Sequence, residues 1–290
     1  MSSTKFLIGS SAAIVAATAA GIVGIRRFRR RMAAGAVTLN ARLPVHSKWW
    51  RDTAKLPGEL LYVAIGDSAA QGIGASAPPR GYVGRLADDI RSITGRTVRV
   101  VNLSVSGATV GLAVADQLPR FRTMKPNVVT VSIGANDIGT FDPVAFEDGL
   151  RAIFAALPPH AIVADLPCFY LPHNERKVAV ANRILRRVAA ERKLIVVPLH
   201  ATMARQGLLG MLTQFAQDAF HPNDRGYRVW AAAFEPTLTA DLVARYPTAA
   251  GATVSTAAGA TVSTAAGAAG GAAGGAAGVG AAGVGAAASR

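Results

Sequence analysis

The sequence predicts one α/β domain, a parallel sheet of five strands covered by helices on both faces. Three observations predict it. Short runs rich in Val, Ile and Leu recur through the middle of the chain, without the strict polar alternation of a sheet that has a wet face. Helix-like stretches separate these runs, which implies right-handed crossovers between parallel neighbours. The region that alternates in this way, residues 59–246, is about as long as one domain of that kind.

The strands are expected at Leu60–Ile65, Val98–Leu103, Val128–Ile133, Ile162–Leu166 and Leu194–Leu199. Helices are expected between them at Tyr82–Ile93, Val110–Arg122, Pro143–Leu157 and Asn174–Arg192. In the last of these, Ala181, Ile184, Leu185 and Val188 make one apolar stripe, and Asn174 stands where a cap would. A final helix, Asp224–Arg245, begins with an Asp able to cap it.

The two ends of the 290-residue chain differ from its middle. Residues 6–25 are twenty residues without a charge, followed at once by "RRFRRR". At about 1.5 Å per residue that run matches a hydrocarbon core of about 30 Å. The charge follows the apolar run, whereas a cleavable signal peptide has its charge in front. Residues 1–31 are therefore expected to be a membrane anchor with a basic flank. Residues 32–58 have no sustained period and are read as a juxtamembrane linker, in which Trp49 and Trp50 suit either a lipid interface or packing on the domain. Residues 247–290 are an Ala/Gly-rich low-complexity tail containing "GATVSTAA" twice in tandem.

The formal net charge of +14 suggests nucleic acid until it is partitioned: +9 lies in residues 1–58, +4 in residues 59–246 and +1 at Arg290. Most of the excess sits beside the apolar run, where anionic head groups attract it, and the domain is only mildly basic. Nucleic acid is thus not an expected partner. The single cysteine, Cys168, excludes an intrachain disulfide and a cysteine-based metal cluster.

Ligands of open parallel sheets bind beyond the carboxyl ends of the strands. The first strand delivers Gly66-Asp67-Ser68, the second leads through Asn102 to "SGAT" with Gly107, and the third delivers "GAND" with Asn136. Before the last helix comes "DAFHPNDRGY", with Asp218 and His221 three apart. Asp218 could hold one nitrogen of His221 while the other takes a proton from Ser68, the nucleophile, base and orienter arrangement of acyl transfer. The Ser68 N–H, the Gly107 N–H and the Asn136 side chain could serve a developing oxyanion. Each piece also has a plainer role: a serine or Asp-x-x-His that caps a helix, a turn glycine, an Asx turn. Asp67 and Asp137 are read as braces of their loops, and His46, His160, His173 and His200 as structural or solvated. The joint occurrence, in order and each at a strand end or loop, favours the chemical reading.

These blocks, "IGDSAAQG", "NLSVSGAT", "SIGANDIG" and "DAFHPNDRGY", resemble the SGNH, or GDSL-type, hydrolases over residues 59–246. The resemblance implies a flavodoxin-like three-layer α/β/α sandwich. It implies Ser68 as nucleophile, Gly107 and Asn136 as oxyanion donors, Asp218 and His221 as the rest of the triad, and no cofactor or metal. The family usually has a larger apolar residue where this chain has Ala69, and often Gly where it has Ser104; both departures concern the substrate pocket. The G-x-S-x-G elbow of the α/β-hydrolase group is absent. The expected activity is ester hydrolysis on an acyl ester, lipid-like or envelope-bound, with Phe169 and Tyr170 lining the pocket. A tethered acyltransferase, a carbohydrate O-acetylesterase and a non-catalytic binding protein are the alternatives. Arginines following the anchor place the domain in the cytoplasm; export to the envelope or secretion is the alternative.

Overall fold

A computed structural model describes the backbone of residues 3–247 and the side chains of residue 21 and residues 23–247. The low-complexity tail from residue 248 onward therefore lies outside the described residues.

Five strands, β1 (Leu60–Gly66), β2 (Val98–Asn102), β3 (Val128–Ser132), β4 (Ile162–Ala164) and β5 (Ile195–Val197), form one sheet in the order β2-β1-β3-β4-β5. Every pairing is parallel. β1 is the reason the sheet is covered on both sides. Its alternate residues Tyr62 and Ala64 enter one apolar core, while Val63 and Ile65 enter the other. The first core is closed by α2 (Tyr82–Thr94), α7 (Leu199–Ala204) and α9 (Asp224–Arg245). The second is closed by α3 (Val110–Leu112), α4 (Leu118–Phe121), α5 (Pro143–Ala156) and α6 (Pro172–Glu191). This is the expected three-layer sandwich. Burying Val63 or Ile65 contributes about 1.5–3 kcal/mol each, enough to anchor a strand whose exit carries the buried Asp67 and Ser68.

The strands on one side of the sheet are shorter than the sequence suggests. Leu166 N–H donates to Asn182 Oδ1 at 2.7 Å, so β4 leaves the ladder early. Pro198, just past the end of β5, has no N–H to donate. The expected helix over Val110–Arg122 is interrupted by a π-helical turn, Ala113–Gln117. Pro119 cannot donate back into the preceding turn, and a wider turn accommodates that loss. Two caps also differ. The helix expected from Asn174 begins at Pro172, so Asn174 lies inside it and Leu171 is the cap residue. In α9 the cap is Asn223, whose side chain accepts from Arg225 N–H and Gly226 N–H. Asp224 instead accepts from Ser76 N–H and Ser76 Oγ.

The largest difference is at the N-terminus. Residues 32–58 are not an open linker: α1 (Ser3–Thr53) runs through most of them. Leu39, His46 and Trp50 are buried against the domain. Trp50 Nε1 donates to Gln71 O at 3.0 Å, and His46 Nδ1 lies 3.0 Å from the same carbonyl. Arg42 donates to Ala75 O and Ser76 O. Trp50 is thus a packing residue and not a lipid-interface one. Gly35 sits so close to the loop before α9 that a Cβ there would lie 2.5 Å from Gln217 O. Gly35→Leu is expected to cost about 1–3 kcal/mol through overpacking. It should also lower kcat, because the loop it displaces carries Asp218. Urea unfolding and ester turnover measured together check this, and wild-type values in both would contradict the packing.

Among the described residues no helix is long and apolar enough to cross a membrane. The run expected to be an anchor, residues 6–25, falls almost wholly on side chains outside the described ones.

Candidate active site

The strand order turns back at β1, with β2 on one side and β3 on the other. That reversal is where open sheets form their binding crevice. Ser68 leaves β1 at this point. Gln117, completely within the protein, fixes the strand's last residue from both sides: Gly66 N–H donates to Gln117 Oε1 at 3.0 Å, and Gln117 Nε2 donates to Gly66 O at 2.8 Å. The π-helical turn is what aims that carboxamide at β1.

Ser68 is no helix cap. Its Oγ lies 2.9 Å from His221 Nε2. His221 Nδ1 lies 2.6 Å from Asp218 Oδ2, and Asp218 Oδ1 accepts from Phe220 N–H and His221 N–H, both at 3.1 Å. The imidazole therefore joins a hydroxyl from one end of the domain to a carboxylate from the other. Burial pushes the Asp218 carboxyl up, but the hydrogen bonds from His221 and Phe220 outweigh it, and its pKa lies below the ordinary value. Asp218 is thus an anion at neutral pH, able to accept from Nδ1–H and so to leave Nε2 unprotonated toward Ser68.

The loop that carries His221 is held by shape. Ala216 N–H donates to His221 O at 2.8 Å, and Phe215 pairs with Pro222. Gly74, at φ 95°, faces this loop at such short range that a Cβ would lie 2.4 Å from Pro222 O and 3.0 Å from the His221 Cβ. Only glycine combines that backbone conformation with that clearance.

Asn136 bridges the other two loops. Its Nδ2 donates to Ala108 O at 3.0 Å and lies 3.5 Å from Asp67 Oδ2, so it stands between the residue after Gly107 and the residue before Ser68. The second contact is at the limit of a hydrogen bond, which leaves one N–H of the amide weakly engaged. Among the described residues neither the Ser68 N–H nor the Gly107 N–H has an intramolecular acceptor. Asp137 accepts from Val110 N–H at 3.0 Å, and Asp67 Oδ1 accepts from Ala69 N–H at 2.9 Å; both brace loops as expected. Asn102 ties the second loop to the first: its Nδ2 donates to Ala70 O, and its Oδ1 accepts from Ser104.

Burial holds the Asp67 carboxyl up at about 6, against the Ala69 N–H and the attraction of His221. The unfolded carboxyl titrates near 3.8, so between these pH values the folded chain holds more protons. Stability from this group is greatest below pH 4 and is lost as the pH rises to 6. The difference corresponds to about 3 kcal/mol. Asp67→Asn should remove that slope. Urea titrations at pH 4 and pH 7 should then show the wild type losing about that much more stability than the variant; equal losses would refute the assignment.

Phe169 is buried and Tyr170 half-buried, and Tyr170 is tied down by its neighbours. Tyr170 Oη donates to Met203 O at 2.9 Å, and its ring meets Phe215, in the loop that carries His221, edge-on at 6.0 Å. Tyr170 has φ 60°, a conformation uncommon for a bulky residue. Cys168, Glu175 and His200 bring ligand-type atoms within 4.8 Å of one another, a mixed group that the lone cysteine did not reveal in the sequence. Its polar atoms are already committed. Glu175 accepts from Phe169 N–H and Tyr170 N–H and lies 2.7 Å from His200 Nε2. Burial pushes the Cys168 thiol up to about 11, so it is protonated at neutral pH.

The GDSL-like Lipase/Acylhydrolase family matches residues 64–229, more than half of the chain. The chain belongs to this family. Esterase TesA of Pseudomonas aeruginosa is 27% identical over 167 residues, covering 55% of this chain and 78% of that protein. The crystal structure of LAE5, an alpha/beta hydrolase enzyme from the metagenome of Lake Arreo, Spain, superimposes with a TM-score of 0.54 at 26% identity, over 64% of this chain and 98% of LAE5. A crystal structure of TesA gives a TM-score of 0.52 at 25% identity, over 62% and 99% of the two chains. As a GDSL-type acylhydrolase the chain is an enzyme of the ester-hydrolase class. The matched residues begin inside β1, so α1 lies outside the segment shared with the family.

Proposed function

We propose that the chain hydrolyses an acyl ester by a serine mechanism. Ser68 Oγ attacks the ester carbonyl while His221 Nε2 takes its proton, and Asp218 orients the ring and balances its charge. The Ser68 N–H, the Gly107 N–H and the weakly engaged N–H of Asn136 stabilise the oxyanion. The tetrahedral intermediate collapses, His221 returns the proton to the leaving alcohol, and Ser68 is left acylated. Water, deprotonated by the same histidine, then releases the acid. One observation carries this reading: the unbroken chain from Ser68 Oγ through His221 to Asp218, at 2.9 Å and 2.6 Å.

The substrate class we propose is a lipid-like or envelope-bound ester. Phe169 and Tyr170 border the acyl or alcohol group. The uncharged run at residues 6–25 anchors the chain in a membrane, and the arginines after it keep the domain on the cytoplasmic side. The test is hydrolysis of a short-chain chromogenic ester by wild type and Ser68→Ala. The wild type is expected to turn over and the variant to fall to background; residual turnover in Ser68→Ala would remove the serine from the mechanism.

A further inference from the structure

Helix α8 (Gly207–Thr213) shows its apolar side chains to the outside. Leu208, Leu209 and Leu212 are 67%, 72% and 71% exposed, with Met211 exposed beside them. Offsets of three and four residues put Leu208, Leu209 and Leu212 on one stripe. Scattered surface leucines need no explanation, but a contiguous group does. This group continues into the site. α8 leads directly into the loop of residues 214–222, where Asn223 Nδ2 ties Thr213 O and Phe215 O together. At that loop's tip Phe220 is half exposed, with its ring edge-on to His221 at 5.0 Å. Ala219 takes φ 52° to make the turn.

The same rim carries positive charge. Gly35 packs on the backbone of Gln217 and Asp218, so α1 leaves the domain beside this loop. The other end of α1 is fixed by Arg99, of β2, whose Nε donates to Ala54 O at 2.9 Å. Arg26, Arg27, Arg29, Arg30 and Arg31 therefore lie past the rim that bears Ser68, and all five are exposed.

We infer that α8 and Phe220 form a lipid-contact face that seats the Ser68 rim on an anionic phospholipid bilayer, with the arginines among the head groups. An apolar stripe flanked by cations is the pairing of an interfacial element. Charge decides against a second copy of this chain, because residues 1–58 carry +9 and a symmetric contact would set that charge against itself. The purpose of the seating rests on the esterase reading: an ester held in the bilayer reaches Ser68 without crossing water. The contact itself does not rest on it.

The full chain carrying Leu209→Cys labelled with an environment-sensitive fluorophore is mixed with vesicles of phosphatidylcholine and phosphatidylglycerol. Some acyl chains are brominated to quench a probe in the lipid. The same label at Lys125→Cys, before β3 and so at the opposite rim, is the control, and the similarly treated parent chain corrects for Cys168. The expected result is a blue shift and bromine quenching at position 209 and neither at 125. A probe at 209 that stays solvent-exposed overturns the inference, and so does a blue shift without quenching, which would mean burial against protein. Independently, Leu208→Ser/Leu209→Ser/Leu212→Ser should lower kcat/KM on a vesicle-embedded ester about ten-fold or more while changing turnover of a soluble ester less than two-fold. Equal effects on both substrates overturn it. If the wild type hydrolyses no soluble ester, the esterase reading fails by itself, and the quenching still reports the contact.

Discussion

Asp218→Asn is expected to lower kcat about 10⁴-fold with the fold intact. The asparagine keeps an oxygen for the Phe220 and His221 N–H groups, so the loop survives. It puts an NH2 where Oδ2 accepts from Nδ1–H at 2.6 Å. An NH2 cannot accept that proton. The ring then favours the tautomer with its proton on Nε2, facing Ser68 Oγ, and that tautomer cannot serve as the base. Turnover of a chromogenic ester, with near-ultraviolet circular dichroism as the fold control, checks this. Unchanged kcat would mean that His221 is oriented by some other group.

Asn136→Ala is expected to cost about 10²–10³ in kcat, with KM changed much less. The amide joins the Ser68 and Gly107 loops in the resting enzyme, and its weakly engaged N–H has nothing to gain until an oxyanion forms. Loss of the Ala108 O bond alone would affect stability by only about 1 kcal/mol. The split between kcat and unfolding free energy therefore separates an oxyanion donor from a loop brace. A kcat within a few-fold of wild type, together with destabilisation, would assign Asn136 the second role.

The strands and the chemistry at their ends were legible in the sequence for the same reason. A strand buried on both faces is a near-continuous apolar run, and the small polar residues where it stops are conspicuous. Val63–Ile65 stopping at Gly66-Asp67-Ser68 is the clearest case. Three such blocks in order, with a fourth in the loop before the last helix, point to the family and to the residues that the hydrogen bonds of Ser68, His221 and Asp218 bring together. What supports those residues was not legible. Gln117 is a polar residue inside a helical run, next to Asp116, and only the π-helical turn aims it at Gly66, so nothing in the sequence singles it out. The helix over residues 32–53 is not legible because the residues that dock it, Gly35, Leu39, His46 and Trp50, include one aliphatic side chain. Their spacing of four, seven and four is helical, but a hydrophobic pattern does not register a glycine used for close approach or a histidine used for its ring nitrogen. The cap of α9 lies one residue before the expected one because Asn223 and Asp224 are both capping types, and only the tertiary bond to Ser76 decides between them.

The account rests on Ser68 being the nucleophile that His221 activates. Its most direct test is covalent: an alkyl phosphonate carrying a good leaving group, incubated with the full chain and followed by peptide mass spectrometry. The predicted result is one phosphonyl adduct per chain, on Ser68, formed in step with the loss of esterase activity and greatly slowed in His221→Ala. An adduct on another residue, or full loss of activity with Ser68 unmodified, would contradict the mechanism.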